Sequence, residues 1–594
     1  MTVAAPIKWV LTESDAAVAA VLSGQAGIHP LIARLMAGRG IADPGEARAF
    51  LSCELASLSG PGIFVGMEKA ISRIRAALSG REKIAVYGDY DVDGVTGAAL
   101  LFLVLKSLDA DVLCYIPDRM SEGYGLHGPA LNKLKSSGVS IVITVDCGIS
   151  ALDQANTARS LAIDLIVTDH HEFIKPTDTS GTAAIALPDA YAVLHPRLIT
   201  GETPDRIKNE VAGLTGVGMA FKLAQALLAA PTDDQRLTQY LDLVALGTIA
   251  DVGTITGENR ILVKHGLEDL SAHNGSQRKG VAALKEVAGL EGKKIGVGAV
   301  GFSLAPRINA SGRLDRADAA FRLLTTESPD EARELASMLD DINRERQAVE
   351  EVIQEEARST CKALDMAMTG ALVLASADWH PGVIGIVASR IVEEFYRPAA
   401  LISVKNGVGK GSARSIPGFD LYQGLSACSD LLLGFGGHKY AAGFTVDEDR
   451  IPELRERLGS IVMQQMGSQG FVRTLAVDGA VALDELTLDL MHEIDQMAPF
   501  GRGNPEPRLG ARGLTVLSSK TVRNNHLKLL LRQQGGSPFG AISFSRGGRP
   551  GKTVVEGSKV AIVFTPRINA WNGKTAVELE IRDIKIDTSE GKKV

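Results

Sequence analysis

Short apolar runs alternate with amphipathic stretches through the first half of the chain. Between residues 83 and 263 the apolar runs lie at 84–87, 112–116, 141–145 and 165–167. Stretches with helical spacing, such as 97–107 and 151–160, separate them. Strands that alternate with helices are typical of βαβ units, which build a parallel sheet. The pattern therefore predicts an α/β domain over residues 76–275, preceded by a mostly helical region over 1–75.

A long segment without glycine follows this domain. It begins at Ser328-Pro329-Asp330-Glu331 and runs to about Asp365. Proline in the first turn followed by acidic residues favours a helix start, and about 35 helical residues would span roughly 50 Å. We expect a helical connector over 276–366.

The connector leads to a second α/β pattern over 367–455. Its predicted strands are 371–375 and 398–404, and its predicted helix is 384–394. Beyond residue 456, short apolar runs at 514–517, 527–531, 560–564 and 576–581 are separated by Gly and Asn, which is typical of a small barrel. The expected fold class is α/β, with two α/β domains joined by a long helix and an OB-fold-like β-barrel over 456–594.

Length and composition limit the class of protein. A chain of 594 residues is too long for one core, because cores stop growing at about 250 to 300 residues. Five cysteines form no C-x-x-C pair, which favours a reducing compartment. Neither a leader sequence nor an apolar run of about 18 residues is evident. The sequence predicts a cytoplasmic protein with no membrane partner.

Charge is distributed unevenly along the chain. The net charge of −7 would by itself argue against a nucleic-acid partner. From Gly501 to Val594, however, 17 Lys and Arg stand against 7 Asp and Glu, which leaves a balance of −17 for the first 500 residues. An acidic body with a basic tail is compatible with binding a polyanion at the tail.

Acids and histidines gather at the ends of apolar runs. Asp89, Asp91 and Asp93 follow the first run, Asp146 the third, Asp169-His170-His171 the fourth, and Asp251 a later one. Ligands of open parallel sheets bind at the carboxyl ends of the strands. We therefore expect one site assembled from several strand ends.

The acidic motif also resembles the start of a calcium-binding helix–loop–helix. That alternative fails because the twelfth position from Asp89, which needs a bidentate Glu, is Leu100, and because a strand precedes the motif. A plain acidic turn would leave its carboxylates repelling one another. Carboxylates and imidazoles without thiolate suit Mn²⁺ or Mg²⁺, and five or six acids suffice for two ions. Two such ions are typical of phosphoester hydrolysis.

The two adjacent histidines of Asp169-His170-His171 cannot point the same way on an extended chain. One is expected to be a metal ligand and the other a substrate contact. The alternative is that each histidine is an ordinary core residue.

Phosphate donors are expected in the second α/β region. Gly-rich loops at 410–415 and 434–438 would bring backbone N–H groups close to an anion, and Arg307, Asn309 and Arg313 form a third basic cluster. Gly-rich loops alone are a weak signal, and ordinary turns are the alternative explanation for them. For any one of the arginines, a structural ion pair explains the residue as well as a phosphate contact does.

The motifs resemble a known family. The segment from Tyr87 to Gly94, Thr168-Asp169-His170-His171 and Phe435-Gly436-Gly437-His438 are similar to the motifs of the DHH phosphoesterase superfamily and its DHHA1 domain. The segments 306–313, 343–347 and 499–507 resemble the RecJ single-stranded-DNA exonucleases. The resemblance covers about residues 75 to 580.

The resemblance implies a 5′-to-3′ exonuclease that releases 5′ mononucleotides from single-stranded DNA in recombination and repair. It implies two ions, Mn²⁺ or Mg²⁺, held by Asp89, Asp91, Asp93, Asp146, His170 and Asp251. Catalytic roles would fall to Asp91, Asp93, Asp169, His170 and His171. The substrate contacts would be Arg119, Arg307, Asn309, Arg313, Ser412, Arg414, Gly436, Gly437 and His438.

Two other functions remain open at this point. A DHH-type phosphodiesterase for very short substrates would need only the two α/β domains, and a non-catalytic scaffold would have lost metal ligands. The helical N-terminal region and basic barrel disfavour the first, and the complete ligand set disfavours the second. A monomer is expected, with a helicase and a single-stranded-DNA-binding protein as possible partners.

Overall fold

The computed structural model describes residues 7–118, 122–174, 185–272, 278–311, 317–467, 470–522, 526–544, 554–571 and 573–586. They form two compact units. One comprises Gly45–Asn343 and Gln496–Glu506, and the other comprises Met1–Pro44, Arg344–Asp495 and Pro507–Val594.

The strands, in chain order, are β1 Ile7–Leu11, β2 Lys83–Gly88, β3 Val112–Tyr115, β4 Val139–Val145, β5 Asp164–Thr168, β6 Ala192–Leu194, β7 Leu372–Ser376, β8 Ala399–Lys405, β9 Val408–Arg414, β10 Leu432–His438, β11 Ala441–Asp447, β12 Arg473–Val477, β13 Gly479–Ala480, β14 Leu509–Val522, β15 His526–Gln533, β16 Phe539–Ser543, β17 Lys559–Trp571 and β18 Lys574–Ile586.

The helices are α1 Ala16–Ala26, α2 Pro30–Ala37, α3 Pro44–Ser52, α4 Met67–Gly80, α5 Val92–Ser107, α6 Gly128–Ser136, α7 Leu152–Ser160, α8 Asp205–Val211, α9 Gly216–Leu228, α10 Gln235–Thr238, α11 Leu241–Ala250, α12 Gly257–Ser271, α13 Lys279–Val287, α14 Val297–Ala299, α15 Ala305–Ser311, α16 Ala317–Thr325, α17 Pro329–Lys362, α18 Ile384–Phe395, α19 Leu421–Ser426, α20 Ile451–Met466 and α21 Leu488–Gln496. A π-helical turn, Val300–Leu304, joins α14 to α15.

The first α/β domain is built on a parallel sheet of order β3-β2-β4-β5-β6. All four predicted strands are present, and β2, β4 and β5 are buried because helices cover both faces of a parallel sheet. The carboxyl ends of β2, β4 and β5 are adjacent, which positions the motif acids together.

The second α/β domain has the sheet order β10-β11-β9-β8-β7. Strands β7 and β8 are parallel, whereas β8, β9, β11 and β10 follow one another antiparallel. The predicted strands and helix correspond to β7, β8 and α18. The three further strands were not predicted, because glycines interrupt their apolar pattern.

The predicted connecting helix is α17, which has 34 residues. The boundary between the two compact units falls within it, between Asn343 and Arg344.

The C-terminal strands close into a barrel, because β14 pairs with both β15 and β17 and the circuit continues through β16 and β18. Closure removes the exposed sheet edges, as in an OB fold. The predicted fold class is therefore confirmed, with two α/β domains, a long helix and a barrel.

A further strand was not predicted, and one local prediction was wrong. The N-terminal region, expected to be mostly helical, also includes the strand β1, which pairs parallel with β12, more than 460 residues away. Asp251 does not end a strand, since it follows the helix α11. That helix is buried from Leu241 to Ile249, so no polar face distinguishes its apolar run from a strand.

Among the described residues no single helix is long and apolar enough to span a membrane. The bent pair of α8 and α9, taken together, does reach the length and apolar composition of a span.

Candidate active site

The first acidic motif forms a strand–turn–helix junction. Strand β2 ends at Gly88, Asp89 and Asp91 occupy the turn, and α5 begins at Val92. Asp91 caps that helix by accepting a hydrogen bond from the Gly94 N–H at 3.0 Å. A Cβ on Gly94 would lie 2.5 Å from the Asp89 carbonyl oxygen, so this turn requires glycine.

Asp93 is held at the N-terminus of α9. Its two carboxylate oxygens accept hydrogen bonds from the N–H groups of Gly216 and Val217, at 2.6 and 2.9 Å. A helix N-terminus stabilises a carboxylate through its free N–H groups and its dipole. A Cβ on Gly216 would lie 2.6 Å from that of Asp146, so this glycine also lets a second acid approach. Sequence reasoning missed Gly216 and Val217.

Asp146 follows β4 with a left-handed backbone, φ 64°, which Asp tolerates better than most residues. Its N–H donates to the Thr168 carbonyl oxygen at 3.1 Å, which joins the ends of β4 and β5. Asp251 follows α11 and lies with its Oδ2 atom 3.8 Å from Nε2 of His170.

The two histidines take different partners. Nε2 of His170 lies 2.9 Å from Asp146 and 3.7 Å from Asp93. Nδ1 of His171 instead lies 2.8 Å from Oδ1 of Asp169. Asp169 also accepts from the N–H groups of Ile149 and His170, so it orients the turn that carries both histidines.

Among the described residues, three groups of side chains in this site could each hold a cation, because the donor atoms within each group lie within 4.8 Å of one another. They are Asp89, Asp91 and Asp146; Asp93, His170 and Asp251; and Asp146, His170 and His171. The six predicted ligands therefore all lie in one cluster. Asp146 and His170 each belong to two groups, which is the arrangement that neighbouring ions sharing ligands require.

Two buried atoms in the cluster have no hydrogen-bond partner among the described residues, Oδ1 of Asp146 and Nε2 of His170. Their 2.9 Å approach lacks hydrogen-bond geometry. Buried polar atoms are rarely left unsatisfied. A carboxylate oxygen and an imidazole nitrogen are suitable donors for Mn²⁺ or Mg²⁺, so the residues fit such ions.

The electrostatics of the carboxylates also indicate a cation. Burial, followed by the charges of Asp251 and Asp91, raises the pKa of Asp93 well above its usual value. Burial and the neighbouring acids raise the pKa of Asp146 in the same way, and burial followed by Asp91 raises the pKa of Asp251 to about 7. The cluster therefore has an excess of negative charge that bound cations would neutralise.

The histidines are shifted in opposite directions. Burial and then the charge of His171 lower the pKa of His170 to about 4, so this imidazole is neutral and can act as a ligand. Burial would lower the pKa of His171, but the hydrogen bond to Asp169 and the surrounding acids raise it to about 9. His171 is therefore a cation at neutral pH, suited to contact a phosphate oxygen.

The predicted phosphate contacts of the second α/β domain lie in two rows of its sheet. Ser412 pairs with Gly443, which pairs with Gly436, whereas Arg414 pairs with Ala441, which pairs with His438. Residues two apart on a strand share a face, so both rows face the same way. Gly437, whose φ is 142°, lies between the rows.

Ser412 and Arg414 also approach the N-terminus of α18. A Cβ on Gly385 would lie 2.8 Å from Oγ of Ser412 and 3.2 Å from Nη2 of Arg414. Burial lowers the pKa of Arg414. A hydroxyl, a guanidinium and a helix N-terminus together form a suitable anion site.

Of the predicted basic cluster near α17, the structure describes Arg307 and Asn309. Arg307 makes the structural ion pair that its sequence allowed, with Nε 2.8 Å from Asp340, and it donates to the Ser303 carbonyl oxygen. Asn309 is half buried in α15. Arg119 and Arg313 lie outside the described residues.

A third histidine, which sequence reasoning missed, holds the turn that carries His170 and His171. His195 is fully buried. Its Nδ1 atom accepts the Arg197 N–H at 3.1 Å, so Nε2 carries the proton and donates to the His171 carbonyl oxygen at 2.9 Å. Arg197 also makes a bidentate ion pair with Glu172. The segment after β6 thus fixes the turn that carries the histidines.

Replacing His195 should test this support. His195→Ala is expected to lower kcat and the apparent Mn²⁺ affinity by about tenfold or more, because residues that orient metal ligands contribute about 10- to 100-fold. His195→Gln is the matched control, since its longer side chain brings an amide N–H group to the position of Nε2, from which it can donate to the His171 carbonyl oxygen. Manganese titrations of the metal-dependent activity measure both. Equal losses in the two variants would contradict the role.

Three family profiles match the chain. The profile of the N-terminal domain of the DHH family matches residues 83–248, that of the DHHA1 domain matches 368–464, and that of the RecJ OB domain matches 477–583. Fold and site together define a DHH-type phosphoesterase.

Individual relatives narrow this class. The chain is 38% identical to the single-stranded-DNA-specific exonuclease RecJ of Bacillus subtilis, over 98% of this chain and 71% of that protein. It is 34% identical to the RecJ of Salmonella typhimurium, over 94% and 96%. A crystal structure of RecJ from Thermus thermophilus in complex with Mn²⁺ matches with a TM-score of 0.80 at 31% identity, covering 98% of this chain and 80% of that one. The chain belongs to the RecJ family of single-stranded-DNA-specific exonucleases.

Proposed function

We propose that this chain is a metal-dependent exodeoxyribonuclease that removes 5′ mononucleotides from single-stranded DNA in recombination and repair. The observation that carries the proposal is the cluster of three overlapping donor groups that share Asp146 and His170. Bound there, two Mn²⁺ or Mg²⁺ ions supply charge neutralisation at the phosphate and activation of water.

The ligands in this proposal are Asp89, Asp91, Asp93, Asp146, His170 and Asp251. The chain's other residues position the substrate. His171, a cation held by Asp169, donates a hydrogen bond to a non-bridging oxygen of the scissile phosphate, where negative charge increases during displacement. Fixed donors of this kind need no reorganisation during the reaction.

We assign the 5′-terminal phosphates to the sheet of the second α/β domain, with Ser412, Arg414, Gly436, Gly437 and His438 as their contacts. The shared face of the two rows and the approach to α18 support this assignment. Arg119, Arg307, Asn309 and Arg313 remain proposed contacts, and Arg307 would have to exchange or share its ion pair with Asp340.

The basic barrel is proposed to draw the strand toward the site, because backbone phosphates respond to Lys and Arg without regard to sequence. A helicase that exposes single strands and a protein that coats them are the partners we propose. We further propose a cytoplasmic monomer.

The decisive experiment is digestion of a single strand labelled at either end, with Mn²⁺ and with EDTA. Early release of mononucleotide from the 5′ label only, with a duplex control left intact, is expected. Faster cleavage of a dinucleotide than of the long strand would favour the short-substrate phosphodiesterase instead.

The stabilisation of the protein by Mn²⁺ should increase with pH. The carboxyl of Asp251 has a folded pKa of about 7, above its unfolded value of about 3.9. The protonated carboxyl therefore favours the folded state, and the metal-free protein loses this stabilisation as pH rises through 7. Cations bind the deprotonated form. The increase in Tm on adding Mn²⁺ should therefore grow from pH 6 to pH 8, as measured by scanning fluorimetry. Asp251→Asn should flatten this dependence, and an equal slope in both proteins would contradict it.

A further inference from the structure

Two exposed apolar residues belong to segments at the end of α11, the helix that precedes Asp251 of the carboxylate cluster. Val252 follows Asp251 directly and is 60% exposed. Phe302 is 86% exposed, the highest value among the large hydrophobic residues that the structure describes. Neither exposed side chain gains much from burial, so neither is there for the stability of the core.

The position of Phe302 follows from the packing of the π-helical turn. Val300 and Leu304, at the ends of this turn, are buried in the same core as Ile249 of α11. Between them, a Cβ on Gly301 would lie 3.9 Å from the Cγ2 atom of Ile249. Ile249 precedes Asp251 by two residues, about 3 Å along a helix axis. The π-helical turn that carries Phe302 therefore packs against the end of α11 that precedes Asp251.

Both exposed residues occupy unusual backbone. Val252 has a φ of 57°, in the left-handed region that a β-branched residue rarely adopts. Its N–H donates to the Ile249 carbonyl oxygen, which closes α11 at this point. Phe302 lies in a π-helical turn, a feature found frequently at functional sites. Backbone strain of this kind persists where the surrounding structure fixes it, as it does at substrate-binding positions.

We propose that Phe302, flanked by Val252, is a stacking platform for a nucleobase next to the cleaved phosphodiester bond. The inference rests on the proposed function, since the adjacent carboxylate cluster holds the phosphate in that function. A base must then lie within a few ångströms of the cluster, and its π-face matches an exposed aromatic ring. Stacking does not depend on base identity, as an enzyme that passes every nucleotide requires.

Fluorescence of 2-aminopurine tests the platform without relying on cleavage. Single strands with this base at each of the first five positions, and with phosphorothioate linkages at the 5′ end, are bound to the enzyme with Mg²⁺. Quenching is expected at one or two neighbouring positions. It should persist in Phe302→Tyr and be lost in Phe302→Ala. The inference is overturned if no position distinguishes Phe302→Ala from the parent.

Steady-state digestion gives a second readout. Phe302→Ala should raise KM for a single strand by roughly tenfold, the range that loss of one base–aromatic stack produces. An abasic residue at the quenched position should cost the parent the same factor and cost Phe302→Ala nothing further. Met368→Ala, which removes another highly exposed apolar side chain, is the matched control and should be unchanged.

The outcomes separate this inference from the proposed function. Cleavage of single strands that is independent of Phe302 in both experiments would overturn the platform alone. Quenching that depends on Phe302, without metal-dependent cleavage by the parent, would support the platform and overturn the exonuclease assignment alone.

Discussion

Asp146→Asn is expected to lower kcat on single-stranded DNA by at least about 100-fold. Asp146 belongs to two of the three donor groups, so its loss weakens two cation positions at once. Even residues that only orient metal ligands contribute about 10- to 100-fold, which makes this a lower bound for a ligand. The amide keeps the shape of the carboxylate and removes its charge.

The same substitution should not destabilise the metal-free protein. Burial and the neighbouring acids raise the pKa of Asp146, so its charge is unfavourable in the folded state near neutral pH. We therefore expect lost activity together with an unchanged or higher Tm without metal. Circular dichroism melts and Mn²⁺ titrations measure the two effects. Asp153→Asn, which changes an exposed carboxylate in α7, is the matched control.

Retention of more than a tenth of the parent's kcat by Asp146→Asn would contradict the shared-ligand arrangement. A large drop in Tm without metal would instead show that the carboxylate has a structural role. The two signatures together therefore test the electrostatics of the cluster as well as its chemistry.

Much of the cluster could be predicted because its residues lie at ends of short apolar runs. Asp89, Asp146 and His170 follow β2, β4 and β5, and adjacent parallel strands place their carboxyl ends side by side. Local patterns and this one rule of topology therefore indicate the ligands at the strand ends. The full set, which includes Asp251 after the helix α11, rested on the resemblance to the family.

The supporting contacts could not be predicted, because they join distant parts of the chain. Asp93 is bound by Gly216 and Val217, more than 120 residues away, and a Gly-Val pair at the start of an apolar helix carries no chemical signal. His195 is a single histidine after a three-residue strand, where an ordinary core residue is the simplest interpretation.

Breaking a buried ion pair should destabilise the first α/β domain. Lys222 of α9 and Glu258 of α12 are both almost completely buried, with Nζ and Oε2 2.6 Å apart. Lys222 also donates to the Ser59 carbonyl oxygen, and Glu258 accepts the Ser59 N–H. Burial lowers the pKa of Lys222 despite the neighbouring carboxylate. The pair thus joins two helices and the segment before α4.

Lys222→Met is expected to reduce the free energy of unfolding by about 3 to 5 kcal/mol, because it leaves the Glu258 carboxylate buried without a counter-charge. Urea denaturation measures the change. Adding Glu258→Gln to this variant should recover a large part of the loss, since no unpaired charge remains and the amide oxygen still accepts from Ser59. If the double variant were as unstable as the sum of the single ones, packing would be the cause and the charge explanation would be wrong. Because α9 also binds Asp93 through its first N–H groups, Lys222→Met should in addition weaken Mn²⁺ binding as its unfolding temperature is approached.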